Sequence, residues 1–138
     1  MIRLSRKLPR EIAVAVSGGC DSMAVLDFLY RSHDVLALHY NHGTDHSDEA
    51  EKLVLKYCEE RSIRCKRSKN LQLPPPGSSL EDFWRGKRYD FFEEARDGLS
   101  VVTCHHLDDV AETWLFTAMN GNPYLIPESR DCYIRPFL

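Results

Sequence analysis

Ile12-Ala13-Val14-Ala15-Val16 runs directly into Ser17-Gly18-Gly19-Cys20-Asp21-Ser22 and then into the helix-forming stretch Met23 to Tyr30, and this passage decides the fold. An apolar run that stops at paired glycines and resumes with helical residues reads as a buried strand turning sharply into a helix. Glycine has no Cβ, so the turn can be tight and its amides can approach a bulky anion. The helix adds N–H groups without intrahelical partners and the positive end of its dipole, so the turn is suited to phosphate. Ser17 and Ser22 can donate hydroxyl hydrogen bonds to that phosphate. Asp21 fits beside a polyanion when a divalent cation lies between them, which points to Mg2+. The spacing is neither G-x-x-x-x-G-K-[ST] nor G-x-G-x-x-G. The plainer alternative is a serine-capped turn with no ligand, which needs neither both glycines nor the aspartate.

Length and composition set the frame around this turn. The 138 residues, 43% of them hydrophobic, suit one domain with one core, so a single unit over 1–138 is expected. A net charge of −3 argues against a protein that is basic all over. Arg61, Arg64, Lys66, Arg67 and Lys69 form a local run of cations, read first as a solvated edge. The apolar stretches are too short to span a bilayer, and Met1 to Lys7 lacks the apolar core of a signal peptide, so a cytoplasmic protein is expected. Five cysteines without a C-x-x-C pair argue against a disulfide framework or a zinc ribbon and read as reduced thiols, mostly buried.

Working outward, strands are expected at Ile12 to Val16, Val35 to His39, Ile63 to Lys66 and Leu99 to Cys104, with a weaker one at Cys132 to Arg135. Helices alternate with them. Ala50, Leu53, Val54, Tyr57 and Cys58 make one apolar stripe on the second. The third follows Pro74-Pro75-Pro76-Gly77, is capped at Ser79, buries Leu80, Phe83, Trp84, Phe91, Phe92 and Ala95, and ends at Gly98. A fourth, from about Asp108 to Met119, is expected to bury Ala111, Trp114, Leu115 and Ala118. This order predicts an α/β fold, a parallel five-stranded sheet with helices on both faces. Ligands collect at the carboxyl ends of such strands. Three polar clusters fall there: the Ser17 turn, His39-Tyr40-Asn41-His42-Gly43, and His105-His106-Leu107-Asp108-Asp109.

The last cluster supports two readings. Asp108 and Asp109 in a first helical turn are ordinary capping residues. Asp109 and Glu112, three apart, also share a helix face and can jointly hold a metal or an ammonium group. The histidines, including His39, His42 and His46, show no recognised zinc spacing.

Taken together, these residues resemble a known family. Ser17 to Ser22 is similar to the SGGxDS loop of the PP-loop ATP pyrophosphatases, whose adenine nucleotide alpha hydrolase-like fold is then implied. Four further segments resemble its tRNA(Ile)-lysidine synthetase branch. They are His39-Tyr40-Asn41-His42-Gly43 with Ser47 (HxNHG), Leu80-Glu81 with Arg85, Arg88, Tyr89, Phe91 and Phe92 (LExxARxxRYxFF), His105 to Leu115 (HHxDDxxETxL) and Ile134 to Leu138 (IRPLL). Departures accompany the matches. Trp84 replaces the usual alanine, Thr44-Asp45 the usual Leu-Arg, and Thr117 to Gly121 the usual Arg-Gly pair, so cations expected near phosphate or RNA are missing. The resemblance ends at the Arg-Pro-Phe-Leu match, which implies a catalytic core without the parts that grip tRNA.

The resemblance implies ATP with its pyrophosphate in the Ser17, Gly18, Gly19, Cys20, Asp21, Ser22 loop and Mg2+ held by Asp21. It implies adenylation of the wobble cytidine C2 carbonyl of tRNA(Ile), followed by displacement of AMP by free lysine. Asp21, Asp109, Glu112 and Arg88 would then serve catalysis, with His42, Arg85 and His106 contacting the nucleotide. Arg85 and Arg88 also read as surface cations whose stems cover Trp84 and Tyr89. Two alternatives stand beside the ligase: a minimal PP-loop enzyme that adenylates another tRNA base or a small molecule, and a non-catalytic nucleotide-binding protein or a metal-dependent hydrolase. A second chain or a homodimer supplying RNA contacts is expected from apolar surface at Tyr133, Ile134 and Phe137.

Overall fold

The computed structural model describes residues 4–138. The elements, in chain order, are β1 (Glu11–Ala15), α1 (Cys20–Tyr30), β2 (Asp34–Asn41), α2 (Asp45–Glu60), β3 (Arg64–Lys69), α3 (Leu80–Ala95), β4 (Val101–Val102), α4 (Leu107–Met119), β5 (Ser129–Arg130) and β6 (Tyr133–Ile134). They form one sheet in the order β3-β2-β1-β4-β6-β5. Every pairing is parallel except β5 with β6. The sheet therefore has six strands, not the expected five. The extra strand is the outer arm of a hairpin that turns through Asp131 at φ 55°. Its two polar residues, Ser129 and Arg130, are too few to display an alternating pattern.

Alternation along the strands divides the core in two. Ile12, Val14 and Val16 of the first strand segment and Val35 and Ala37 of β2 pack with Val25, Leu26 and Leu29 of α1 and with Val54 and Cys58 of α2. Ala13, Leu36, Leu38, Val101 and Tyr133 face the other way, against Phe92 and Ala95 of α3. Helices thus cover both faces, as a parallel sheet requires. The chain leaves β1 outward through β2 to β3 and returns to β4 on the opposite side of β1. The order reverses at β1 and β4, so a crevice opens above their carboxyl ends.

The apolar stripes are less buried than their periodicity predicts. On α2, Leu53 is 50% exposed, and on α3, Leu80 is 45% exposed while Phe83, Trp84 and Phe91 are half-buried. On α4, Ala111, Trp114 and Leu115 are exposed and Ala118 is half-buried, with Phe116 and Met119 exposed beside them. The helix belongs to neither core cluster. Its stripe is a real amphipathic pattern, but no element among the described residues lies over it. Conversely, Tyr133 and Ile134 are buried in the sheet and Phe137 is packed against the core, so they do not offer the apolar contact surface expected of them. Of the cysteines, Cys58 alone is buried. Cys20 is exposed, Cys65, Cys104 and Cys132 are half-buried, and all are free thiols.

The basic run lies on β3 and the turn before it, and each cation is paired. Arg61 meets Glu60, Arg64 meets Asp34, Lys66 meets Asp97, Arg67 meets Glu51 and Lys69 meets Asp48. Among the described residues no helix is long and apolar enough to cross a membrane.

Because α4 is uncovered, Leu115→Ala should change unfolding free energy by less than about 0.5 kcal/mol. Leu26→Ala, at a fully buried position, should cost about 2–5 kcal/mol in the same urea titration. A comparable loss at Leu115 would mean that α4 is held by packing not seen here.

Candidate functional site

The turn after β1 is built by its own side chains. Gly19 N–H donates to Ser17 Oγ (3.2 Å), Ser17 N–H donates to Ser22 Oγ (3.1 Å), and Ser22 Oγ donates to Gly19 O (3.1 Å). The two serine hydroxyls are themselves 3.1 Å apart. With Ser22 Oγ donating to Gly19, Ser17 Oγ is left to donate to Ser22. Both hydroxyl protons thus have partners inside the turn, whereas the sequence reading offered them to a phosphate. What faces outward is backbone. Met23 N–H bonds Gly19 O, while the N–H groups of Gly18, Cys20, Asp21 and Ser22 have no partner among the described residues. Together with the start of the eleven-residue helix α1 they make a concavity of the kind suited to an anion.

Gly18 is required twice over. Its φ of +88° is left-handed, and a Cβ there would lie 2.9 Å from Ala50 Cβ on α2. α2 is held in turn by Thr44, which caps it by accepting from Ser47 N–H at 3.1 Å. Thr44 thus does structural duty at a position where a cation was missed. Asn41 ties the same corner, since its Nδ2 donates to Asp48 Oδ1 (2.8 Å) and its Oδ1 accepts from Gly43 N–H (2.7 Å). Lys69 Nζ reaches the same Asp48 oxygen at 2.9 Å, and these bonds hold the Asp48 carboxyl below its usual range.

A cleft of about 860 Å3 opens above the turn, lined by Ser17 to Ser22, His39, Tyr40, His42, Ala50, Leu53, Arg88, Thr103 and Cys104 to His106, with Asp109. A smaller pocket of about 320 Å3 adjoins it, lined by His42, Glu81, Trp84, Arg85, Arg88, His105, Asp109, Glu112 and Thr113. His42, Arg88, His105 and Asp109 belong to both and form the wall between them.

Each named residue has a definite place in this arrangement. Asp21, exposed at the start of α1, and Asp109, in the first turn of α4, flank His106, whose Nε2 lies 3.6 Å from Asp21 Oδ2 and whose Nδ1 lies 3.7 Å from Asp109 Oδ2. Asp109 Oδ2 also accepts from His106 N–H at 2.8 Å, so the capping reading holds for that oxygen. Asp109 and Glu112 both face the small pocket, whereas Asp108 is exposed and lines neither cavity. Arg85 and Arg88 enter no ion pair among the described residues. Burial, with Arg85 close by, holds the Arg88 guanidinium below its ordinary value, the condition of a cation placed without its anion. Its carbon also lies 5.7 Å from the centre of the Tyr89 ring. Trp84 stacks on His42 at 5.0 Å with the planes 30° apart, and Tyr40 meets the same imidazole edge-on at 5.4 Å.

Burial lowers the pKa of His42, helped by Arg88 and His39, and burial with Arg135 lowers that of His105, whose Nδ1 lies 3.1 Å from Thr103 Oγ1. Burial pushes the Cys104 thiol up to about 12, so this cysteine in the cleft wall is not a nucleophile. Among the described residues no three His, Cys, Asp or Glu side chains gather closely enough to hold a metal by themselves. The hard oxygens of Asp21 and Asp109 suit Mg2+, which commonly takes one or two carboxylates and completes its shell with water and substrate phosphate. In the sequence His39 fell in a strand-end polar cluster and a family motif and Glu81 in another motif, but neither was given a binding role, and Thr103 was not singled out. The signal for His39 was a polar residue inside the otherwise apolar run Val35 to Tyr40.

Fold and site together define an α/β domain that presents a glycine-rich turn with outward-facing amides at the switch point of a parallel sheet. The sequence model of the PP-loop domain matches residues 3–136, and the chain belongs to that family. Among curated proteins it is 37% identical to a tRNA(Ile)-lysidine synthase of Exiguobacterium sibiricum, over 83% of this chain and 28% of the relative. It is 35% identical to the bifunctional protein TilS/HprT of Listeria innocua, over 93% of this chain and 23% of that protein. It is likewise 35% identical to a tRNA(Ile)-lysidine synthase of Mycoplasmopsis pulmonis, over 74% and 36%. The chain thus spans between 23 and 36% of the length of these relatives.

The half-buried His42 and His105 make stability depend on pH with a definite sign. Above about pH 6.5 both folded and unfolded chains hold His42 and His105 neutral. Below it the unfolded chain takes up protons that the folded site resists, so stability falls as pH drops from about 6.5 toward the lowered values. The melting temperature should decline between about pH 7 and 5.5, and His105→Gln should flatten that decline. An equal slope in the variant would remove His105 from the account.

Proposed function

We propose that this chain carries the ATP-dependent adenylating centre of a tRNA-modifying PP-loop ligase, with the nucleotide in the larger cleft and an amino acid in the smaller pocket. The observation that supports it is the shared wall. One cavity begins at a phosphate-type turn, and its neighbour combines Arg85 and Arg88 with Glu81, Asp109 and Glu112. A pocket of both signs suits a zwitterion with a second ammonium group, which is what lysine is. The relatives named tRNA(Ile)-lysidine synthase favour the wobble cytidine of tRNA(Ile) as acceptor.

In this reading the amides of Gly18, Cys20, Asp21 and Ser22, unpaired among the described residues, and the α1 dipole bind the pyrophosphate portion of ATP. Asp21 and Asp109 would hold Mg2+ with the phosphates, and the ion would supply charge neutralisation for the leaving pyrophosphate. Arg88, desolvated between the cavities, contacts the phosphate under attack, where negative charge develops. The cytidine C2 oxygen attacks the α-phosphorus, the bond to pyrophosphate breaks, and the base is left joined to AMP. The lysine ammonium, held by Glu112, loses a proton to solvent, and the free amine then attacks C2 and AMP departs. Trp84 and His42 offer an aromatic face at the boundary for the unstacked base. A second reading keeps the adenylation and changes the acceptor. It is favoured by the acidic first turn of α2, with Asp45 and Asp48, where the family resemblance called for a cation.

The test follows products. ATP, Mg2+, lysine and tRNA(Ile) should yield pyrophosphate and AMP, with label from lysine entering the RNA. Asp21→Ala and Arg88→Ala should each lower the rate by about 100-fold or more, and orthophosphate as sole product would overturn both readings. Pyrophosphate release with another acceptor and none with tRNA(Ile) would select the second.

A further inference from the structure

His39 sits beneath the cleft floor on β2, 2% exposed and lining the cavity. Its Nδ1 is 2.7 Å from the carbonyl oxygen of Val16, the residue that opens the phosphate-type turn. A carbonyl oxygen only accepts, so Nδ1 carries a proton, and in the neutral imidazole Nε2 then keeps its lone pair. Nε2 is buried and has no hydrogen-bond partner among the described residues. Asn41, two residues on and on the same side of the strand, shows the contrast. It is fully buried too, yet its amide nitrogen and oxygen are both engaged, with Asp48 and Gly43. Buried polar atoms are paired as a rule, and an apolar side chain would fill this strand position without leaving one bare. A lone acceptor on a residue that lines the cavity therefore calls for a donor that arrives with the ligand.

We infer that His39 Nε2 is a preset acceptor for an N–H or O–H of the nucleoside part of the bound nucleotide, a positioning residue that makes the cleft read more than phosphate. The inference rests on the nucleotide reading of the cleft. Ionised phosphate oxygens offer no proton and would face the lone pair with like charge. An adenosine nucleotide carries two kinds of donor, the exocyclic 6-amino group and the ribose hydroxyls, and either satisfies Nε2. The Val16 bond fixes the tautomer and orientation of the imidazole before binding.

Analogues separate the sources. Binding of ATP, inosine triphosphate, 2′-deoxy-ATP, 3′-deoxy-ATP and inorganic tripolyphosphate is measured with the wild-type protein and with His39→Leu. In wild type, the analogue that lacks the partner group should bind about tenfold more weakly than ATP. In His39→Leu that gap should close, while tripolyphosphate binds both proteins alike. Gaps of equal size in the two proteins would overturn the inference. So would a parallel loss of tripolyphosphate binding, which would make His39 a support for the turn alone. Should His39→Leu fail to fold, 15N-histidine spectra of the wild type decide. The Nε2 resonance should move toward its hydrogen-bonded position with ATP and stay put with tripolyphosphate, and no movement with bound ATP would sink the idea. A wild-type protein that binds no nucleotide at all would remove the functional reading and this inference with it. ATP binding without the His39 signature removes only the latter.

Discussion

The close approach of Gly18 to Ala50 governs the site. With 2.9 Å between a notional Gly18 Cβ and the Ala50 methyl, turn and helix α2 can share this space only if one residue has no side chain. The turn is therefore clamped from outside by α2 and from inside by the Ser17 and Ser22 hydroxyls. α2 owes its own position to the Thr44 cap and to the bonds that join Asn41, Asp48 and Lys69. The amides at the start of α1 are aimed by protein contacts alone, so a ligand meets donors already in place, which is where electrostatic binding is most effective.

The rest of the site surrounds that fixed point with groups of opposing character. Acidic Asp21 and Asp109 stand to either side of His106, and the unpaired Arg88 closes the boundary with the second pocket. Burial acts on the cation and the histidines in the same direction, disfavouring charge until a counter-charge arrives. An anionic ligand would relieve the arginine, and its metal the carboxylates.

Most of the fold was legible because strand and helix periods differ, and because the glycine pair marks where one becomes the other. The two-sided core follows from the alternation of Ile12, Ala13 and Val14 and of Leu36, Ala37 and Leu38. What escaped had physical causes. Periodicity reports that a helix has an apolar side and not whether anything lies on it, so Trp114 and Leu115 read as core although both face solvent. The β5 strand is shorter than the period that would reveal it. In the site, the residues of the rim were recognisable by chemical type, but the spending of both serine hydroxyls within the turn depends on rotamers that no spacing encodes. His39 was visible as a polar residue at the end of an apolar strand, but its bond to Val16 and its bare Nε2 are tertiary facts that no spacing encodes.

The paired cations of β3 bear on how copies of this chain behave toward one another. β3 ends the sheet on one side, and its backbone rim could in principle recruit a further strand. Arg64, Lys66, Arg67 and Lys69 crowd that rim, and each is tethered by a carboxylate from another part of the fold. An incoming β-strand would have to displace or desolvate these tethered charges. The opposite margin, β5, is two residues long and offers little to pair with. Self-association through strand addition, the usual hazard of an open sheet, is thus blocked at both ends, and a concentrated solution should resist fibril formation even though one of its helices is greasy.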